Sequence, residues 1–174
     1  MEKMNGYKKI QKRATTLALL ICICTLLAGC SFAKEENAEG KIEGDLAGVM
    51  DGVFGMSELD ADFMDAYTNY YTKAELTDAE KEYLLGTSDI QFKEAYYAIP
   101  SMNATAFQAV LLRLNEDQDP EEVKQQLLDH ADPRKWVCVE PEVVRAENVG
   151  DVIFFLMSDQ KTGDALMESF LSMK

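Results

Sequence analysis

Ala106-Phe107-Gln108-Ala109-Val110-Leu111-Leu112 is the stretch on which the fold turns. In an extended chain successive side chains point to opposite faces. Phe107, Ala109 and Leu111 then fall on one side, and Val110, Leu112 and, just beyond the run, Leu114 on the other. A strand with one wet face alternates apolar with polar, whereas this one is apolar on both. Residues 152 to 157 repeat the pattern, with Val152, Phe154 and Leu156 set against Ile153, Phe155 and Met157. Two neighbouring strands of this kind need a cover on each face, so a sheet between helical layers is expected.

The flanking segments supply the helices. Asp119-Pro120-Glu121-Glu122 combines an N-cap, a proline at the first helical position and acids in the first turn, predicting a helix to about Ala131. A last helix is expected over roughly Thr162 to Met173, burying Leu166 and Phe170. Between them, Val143 to Glu147 and Val152 to Met157 read as strands joined through Asn148-Val149-Gly150-Asp151. Upstream, Phe92 to Ile99 reads as a strand broken by Pro100, and Asp45 opens a short helix carrying Leu46, Val49, Met50, Val53 and Phe54 on one face. Over residues 58 to 75, Leu59, Phe63, Tyr67 and Tyr71 fit a helix while Thr68 and Thr72 favour a strand. Thr77-Asp78-Ala79-Glu80 is a capping box for a helix running to Leu85 and ending at Gly86. The expected domain, residues 45–174, is α+β, with a mainly antiparallel sheet of about four strands ordered β-β-α-β-β-α after an N-terminal helical region. The helices at 120 to 131 and 162 to 173 are expected to cover one face and residues 45 to 86 the other, giving a monomer. A face left open would instead be a partner surface.

Residues 1–29 read differently. Lys3, Lys8, Lys9, Lys12 and Arg13 precede an apolar run from Ala14 to Ala28 and then small residues at a cysteine, the order of an export signal. That run is about 15 residues long, short of the roughly 20 a helix needs to cross the hydrocarbon core. Leu27-Ala28-Gly29-Cys30 resembles the lipobox of bacterial lipoproteins, in which the cysteine sulfur takes a diacylglyceryl group and a dedicated peptidase cuts before it. The resemblance implies a mature chain beginning at Cys30. Palmitate-type acyl chains would hold it to the outer face of the cytoplasmic membrane, each buried methylene adding about 0.8 kcal/mol. Residues 30–44 would be the lipidated cysteine and a flexible tether, since Ser31 to Gly44 is rich in Lys, Glu and Gly.

Charge and cysteine content fit a surface location. The chain of 174 residues is 47% apolar, with formal charge −14. Removing residues 1–29 takes away the five basic residues named above and one acid, Glu2, leaving 12 basic against 30 acidic. Such a body is repelled by nucleic acid, which is excluded as a partner, and by anionic headgroups. Cys22 and Cys24 leave with the signal and Cys30 is alkylated, so Cys138 alone remains and no intramolecular disulfide can form. Trp136-Val137-Cys138-Val139 is apolar, and a buried packing thiol is expected there.

The element order also resembles a family of small lipoproteins of Gram-positive, clostridia-like bacteria, recorded as a domain of unknown function. The resemblance spans about Asp45 to the C-terminus and rests on Phe92 to Arg113, the helix after Asp119-Pro120, and the hairpin before Ser158-Asp159. The family usually carries an aromatic-Pro segment before its third strand and an aromatic residue after the hairpin glycine. Here these positions read Val139-Glu140-Pro141 and Asp151-Val152. With no established activity, the family implies no catalytic residues.

Motifs for chemistry are sparse. His130 is the only histidine and falls near a helix C-terminus, where its charged form would favour the macrodipole. Paired-histidine and cysteine-rich zinc patterns, Gly-x-Ser-x-Gly and phosphate-cradling glycine loops do not occur. Asp60, Asp62 and Asp65, or Glu140 and Glu142, are carboxylate groupings that could do acid/base work or simply be solvated. Asn115-Glu116-Asp117-Gln118-Asp119 starts like a calcium loop, but Pro120 stands where glycine is needed and Gln126 where a bidentate glutamate is needed. Tyr67, Tyr70, Tyr71, Tyr83, Tyr96 and Tyr97 could be a stacking platform or core. No cofactor or metal site is expected, and no catalytic residue is assigned. The reading is a membrane-anchored extracytoplasmic lipoprotein, a non-enzymatic binding or accessory module for a protein or cell-wall partner. Its rival is a carboxylate-based hydrolase of wall sugar or peptide.

Overall fold

The structure, a computed structural model, describes residues 40–102, 105–136 and 138–173. The signal segment, Cys30 and the tether as far as residue 39 lie outside the described residues. Among the described residues five strands form one antiparallel sheet in the order β1 (Tyr71–Glu75), β2 (Glu94–Pro100), β3 (Gln108–Arg113), β5 (Val152–Ser158), β4 (Val143–Val149). The two strands that are apolar on both faces are neighbours at its centre. Leu111 lies opposite Phe154 and Val110 opposite Phe155, so each face carries its own continuous apolar row. Every residue of β5 is buried.

On the first face Ala109, Leu111, Phe154 and Leu156 pack against α1 (Leu46–Met56), Tyr67 of α2 (Ala61–Tyr70), and Leu166 and Phe170 of α5 (Gln160–Leu171). On the second, Val110, Leu112, Ile153 and Phe155 pack against Leu84 and Leu85 of α3 (Lys81–Leu85), Val123 and Leu127 of α4 (Pro120–His130), and Trp136. The sheet thus lies between two helical layers, but the layers are divided otherwise than expected. Helices α4 and α5 cover opposite faces, and the N-terminal region is split between them. Edge strand β1 is the reason: the chain reaches it from the first face, where Tyr71 packs, and leaves onto the second, where Leu76 is buried. Helix α5 is drawn to the first face by its short link to β5. Its N-cap Asp159 follows β5 directly and accepts from Thr162 N at 2.9 Å.

Residues 58 to 75 resolve into helix and strand together. Asp60 caps α2 by accepting from Phe63 N at 2.9 Å, and Thr68 is tolerated inside the helix by donating to Met64 O at 2.8 Å. The β-favouring Thr72 then lies in β1, the fifth strand. Only half of the Thr77 capping box forms: Glu80 accepts from the backbone and hydroxyl of Thr77, and α3 starts later, at Lys81. Its end is as expected, with Gly86 left-handed at φ +77. The hairpin closes tightly with Val149 opposite Val152, and Gly150 takes φ +58.

Two further expectations fail. Ile42, in the segment expected to be a flexible tether, is buried among Leu46, Val49 and other first-face residues. The folded domain therefore takes in at least residues 40–44, held by the buried Ile42 side chain and by Arg113, which donates to the carbonyls of Ile42 and Gly44. Cys138 is exposed rather than buried, with φ +66. Trp136 takes the buried place instead, and the left-handed backbone at Cys138 is not that of an extended apolar run.

Two substitutions measure these constraints. Leu111→Ala should cost about 2–5 kcal/mol in urea unfolding, as for other fully buried leucines. Gly86→Ala should cost roughly 2 kcal/mol or more, since φ is positive and a Cβ there would lie 1.8 Å from the carbonyl oxygen of His130. A Gly86→Ala loss below about 0.5 kcal/mol would mean that the α3 and α4 ends are not locked together.

Candidate functional site

Chemistry concentrates in two places, one at each end of β3. At its C-terminal end Arg113 is a hub. Its Nη1 donates to Glu94 Oε1 at 2.6 Å and to the carbonyl of Gly44 at 3.0 Å, while Nη2 donates to the carbonyl of Ile42 at 3.1 Å. Asp151, in the β4–β5 turn, stands 3.9 Å from Nε through Oδ2. Nε itself and Asp151 Oδ1 are buried without a hydrogen-bond partner among the described residues. A guanidinium offers five donors in a fixed fork, which suits it to gather residues 40–44, the strap, with a strand and a turn at one point. The strap also passes close to the β4–β5 turn, where a Cβ on Gly150 would fall 2.4 Å from the carbonyl of Gly40, so glycine leaves it room. Beside it open a hollow of about 700 Å³ edged by Lys41, Glu43, Lys93, Arg113, Asn115 and Asp151, and one of about 500 Å³ edged by Asp45, Glu75, Phe92, Glu94 and Tyr96.

At the N-terminal end of β3, Gln108 is a fully buried amide that donates to the carbonyl of Leu84 at 2.9 Å. Its oxygen accepts from Lys135, whose Nζ also donates to the carbonyl of Tyr83 at 2.7 Å. The rings of Tyr83 and Trp136 lie 4.5 and 5.0 Å from that nitrogen. Carbonyls and ring faces favour the charged amine, yet burial pushes Lys135 down to about 8, with Asp132 opposing the shift. The cluster ties the 131–142 loop to α3 and satisfies the one polar residue that β3 turns into the second core.

The tyrosines do not form one platform. Tyr67 is stacked on Phe54 at 3.8 Å and donates to Asp51 Oδ1 at 2.8 Å, and Tyr71 packs on Phe107 at 5.4 Å. Burial raises the pKa of both, helped by Asp51 at Tyr67 and by Asp159 at Tyr71, which reaches about 12. Tyr97 is buried in the other core, while Tyr70 and Tyr83 are exposed. The carboxylate groupings also serve the fold. Asp60 is held below the usual range by the Phe63 N–H it accepts from, and Glu142 Oε2 accepts from Gln160 N at 2.8 Å. Residues 115 to 119 close as a turn, Asn115 N donating to Gln118 Oε1 at 2.9 Å, with Asp119 capping α4 through Glu121 N at 3.0 Å. His130 ends α4, its Nδ1 2.8 Å from the carbonyl of Gln126. Among the described residues no group of three or more His, Cys, Asp or Glu side chains is placed to hold a metal ion, and no helix is long and apolar enough to cross a membrane.

Arg113, Gln108 and Lys135 escape the sequence reading. The available signals were a lone amide and a terminal arginine in an otherwise apolar strand, and a lysine beside the single tryptophan.

Arg113→Gln should free the strap. Removing charged hydrogen bonds of about 1.5–3 kcal/mol each should speed Lys-C cleavage after Lys41 at least tenfold, and a rate within about twofold of the parent would show that Arg113 is not the clamp. Lys135 gives a pH signature. Its folded pKa is depressed, so below pH 8 both folded and unfolded amines are charged and the burial penalty is paid in full. Between about 8 and 10 the folded amine loses its proton first and stability rises. Above 10 the unfolded tyrosines ionise before Tyr67 and Tyr71, and stability falls. Unfolding midpoints across pH 7–11 should therefore peak near pH 10, and Lys135→Met should abolish the rise but keep the fall. A parent curve flat from 8 to 10 would contradict the buried amine.

No protein-family model, curated protein or solved structure matches this chain, and the reading of its site stands on its own residues.

Proposed function

We propose that this chain is the precursor of a lipoprotein anchored through a diacylglyceryl group on Cys30 to the outer face of the cytoplasmic membrane. Its domain acts there as a non-enzymatic binding or accessory module for a protein or cell-wall partner. The observation that carries this is Leu27-Ala28-Gly29-Cys30 at the end of a basic and then apolar segment. The way the domain receives its N-terminus supports it. The Ile42 and Gly44 carbonyls are gripped by the last residue of a central strand, a firm mounting for an anchored body. Gly40 lies ten residue steps beyond Cys30, a reach of at most about 35 Å, so the domain would work close to the membrane. A non-enzymatic role is supported by the carboxylates that the hydrolase reading would use, since Asp60 is taken up in capping α2 through Phe63 N and Glu142 accepts from Gln160 N.

Mass spectrometry of the N-terminal peptide from the membrane fraction should show a chain starting at diacylglyceryl-modified Cys30. Cys30→Ala should remain unprocessed. An intact Met1, or a Cys30→Ala variant processed and retained like the parent, would refute the anchoring.

A further inference from the structure

We propose that the free edge of β4 is a self-association surface, on which a second copy of this chain pairs antiparallel about a two-fold axis at Ala146 and joins the two sheets into one. Helices cover both faces of the sheet, so its edges are where backbone groups stay open to a partner. The phase of the ladders shows which groups these are. Leu114 N donates to the carbonyl of Asp151 at 2.8 Å, in step with the β3–β5 register. Bonded and non-bonded pairs alternate along an antiparallel ladder. Ile153, Phe155 and Met157 therefore turn their backbone groups to β3, and Val152, Phe154, Leu156 and Ser158 turn theirs to β4. On β4 it follows that Val143, Arg145, Glu147 and Val149 are bonded inward, while the N–H and C=O groups of Val144, Ala146 and Asn148 point away from the sheet. These outward groups have no backbone partner among the described residues. The helices that touch β4, α4 and α5, do so from opposite faces.

Charge complementarity names the occupant. Two copies of β4 can bond only where Val144, Ala146 and Asn148 meet one another, which leaves few registers. Centred on Ala146, the seven residues of the strand overlap in full, and Val144 meets the partner's Asn148. Arg145 then stands directly opposite the partner's Glu147, and Glu147 opposite the partner's Arg145. Sliding the strands by two residues sets either Arg145 against the partner's Arg145 or Glu147 against the partner's Glu147, and like charges directly opposite are destabilising. Within each chain Arg145 Nη2 lies 2.6 Å from Asp164 Oδ1, and Glu147 Oε2 lies 3.6 Å from Lys124 Nζ. The charges would thus alternate in sign from Asp164 through Arg145 and the partner's Glu147 to the partner's Lys124, and networks contribute where isolated surface pairs do not.

The other edge does not suit a second copy. Ser101 N donates to the carbonyl of Tyr70 at 2.8 Å and Leu76 N to that of Ala95 at 2.9 Å, which leaves the backbone groups of Tyr71, Lys73 and Glu75 outward on β1. That strand has five residues. Full overlap would set Lys73, held 3.7 Å from Asp51 and over the Tyr67 ring, against the partner's Lys73. Pairing β4 with a copy's β1 would leave a free edge at each end and build an open chain instead of a closed dimer. The acidic body opposes self-association, but at about 0.15 M salt that repulsion is screened beyond roughly 8 Å, while directly opposed charges lie closer.

The test uses the full chain in non-ionic detergent at about 0.15 M salt, with light scattering for mass and amide hydrogen exchange read by NMR. As protein concentration rises, mass should reach that of a dimer and stop there. The amides of Val144, Ala146 and Asn148 should slow at least about tenfold over the same range, while those of Lys73 and Glu75 keep their rates. Arg145→Glu and Glu147→Arg should each weaken dimerisation at least about tenfold, because each sets like charges opposite one another in its own dimer. Mixed one to one, the two variants should recover a heterodimer, since every opposed pair is then of unlike charge. A monomer at all concentrations would overturn the proposal, as would a dimer in which Val144, Ala146 and Asn148 exchange unchanged. Growth beyond a dimer with Lys73 and Glu75 protected would show β1–β4 addition instead. Single variants that dimerise like the parent, or folded variants that stay apart when mixed, would overturn the register. The parent's exchange pattern decides even where a variant fails to fold.

Discussion

Everything in this fold follows from a sheet whose central pair of strands is apolar on both sides. Strands β3 and β5 place Ala109, Leu111, Phe154 and Leu156 on one face and Val110, Leu112, Phe155 and Met157 on the other. Neither face can be left to water, because each apolar side chain buried is worth roughly 1.5–3 kcal/mol. Short helices on both sides are the economical answer. They need not be strong helices in isolation: α3 has only five residues, and its position is held by Leu84 and Leu85 in the core and by the Leu84 carbonyl bonded to Gln108.

The same constraint explains where polar atoms are admitted. Gln108 faces the second core at the end of β3 and would be destabilising unpaired, so its amide is bonded on both sides, to a helix carbonyl and to Lys135. Arg113 closes the strand at its other end with its guanidinium turned to carbonyls and carboxylates. Polar groups bound the apolar stretch at both ends, and each draws in a distant segment, the 131–142 loop in one case and the strap in the other.

Patterns with a strict period were legible in the sequence. The two-faced strands, the Asp119-Pro120 helix start, the Gly86 stop and the turn at Gly150 all stand where residue types demand them. Three features were not. Strand β1 hid behind a helix that runs into it without a break, so Tyr67 and Tyr71 kept helical spacing across the junction. The burial of Ile42 was masked by its polar neighbours, since a composition window averages away a single anchoring residue. The allocation of helices to faces depends on which side the chain takes around an edge strand, and no local pattern encodes that. The site residues share this cause: Arg113 and Lys135 matter through partners more than 50 positions away, Ile42 and Tyr83, and long-range pairing leaves no local trace.

The strand order also bears on when the fold can exist. Strand β5 comes last in the chain yet sits inside the sheet, between β3 and β4, and Ser169 of α5 donates to the carbonyl of Val53 in α1 across 116 positions at 2.6 Å. A chain threaded N-terminus first through a narrow pore would deliver β1, β2 and β3 able to pair, but β4 would have no neighbour and β3 one open edge until β5 followed. Contacts of such long sequence separation form slowly, because the loop must close before they reward it. Premature folding on the near side is thus discouraged by topology alone. In a chain exported as proposed, the sheet could be completed only once the final segment had emerged, since β5 has to enter between β3 and β4.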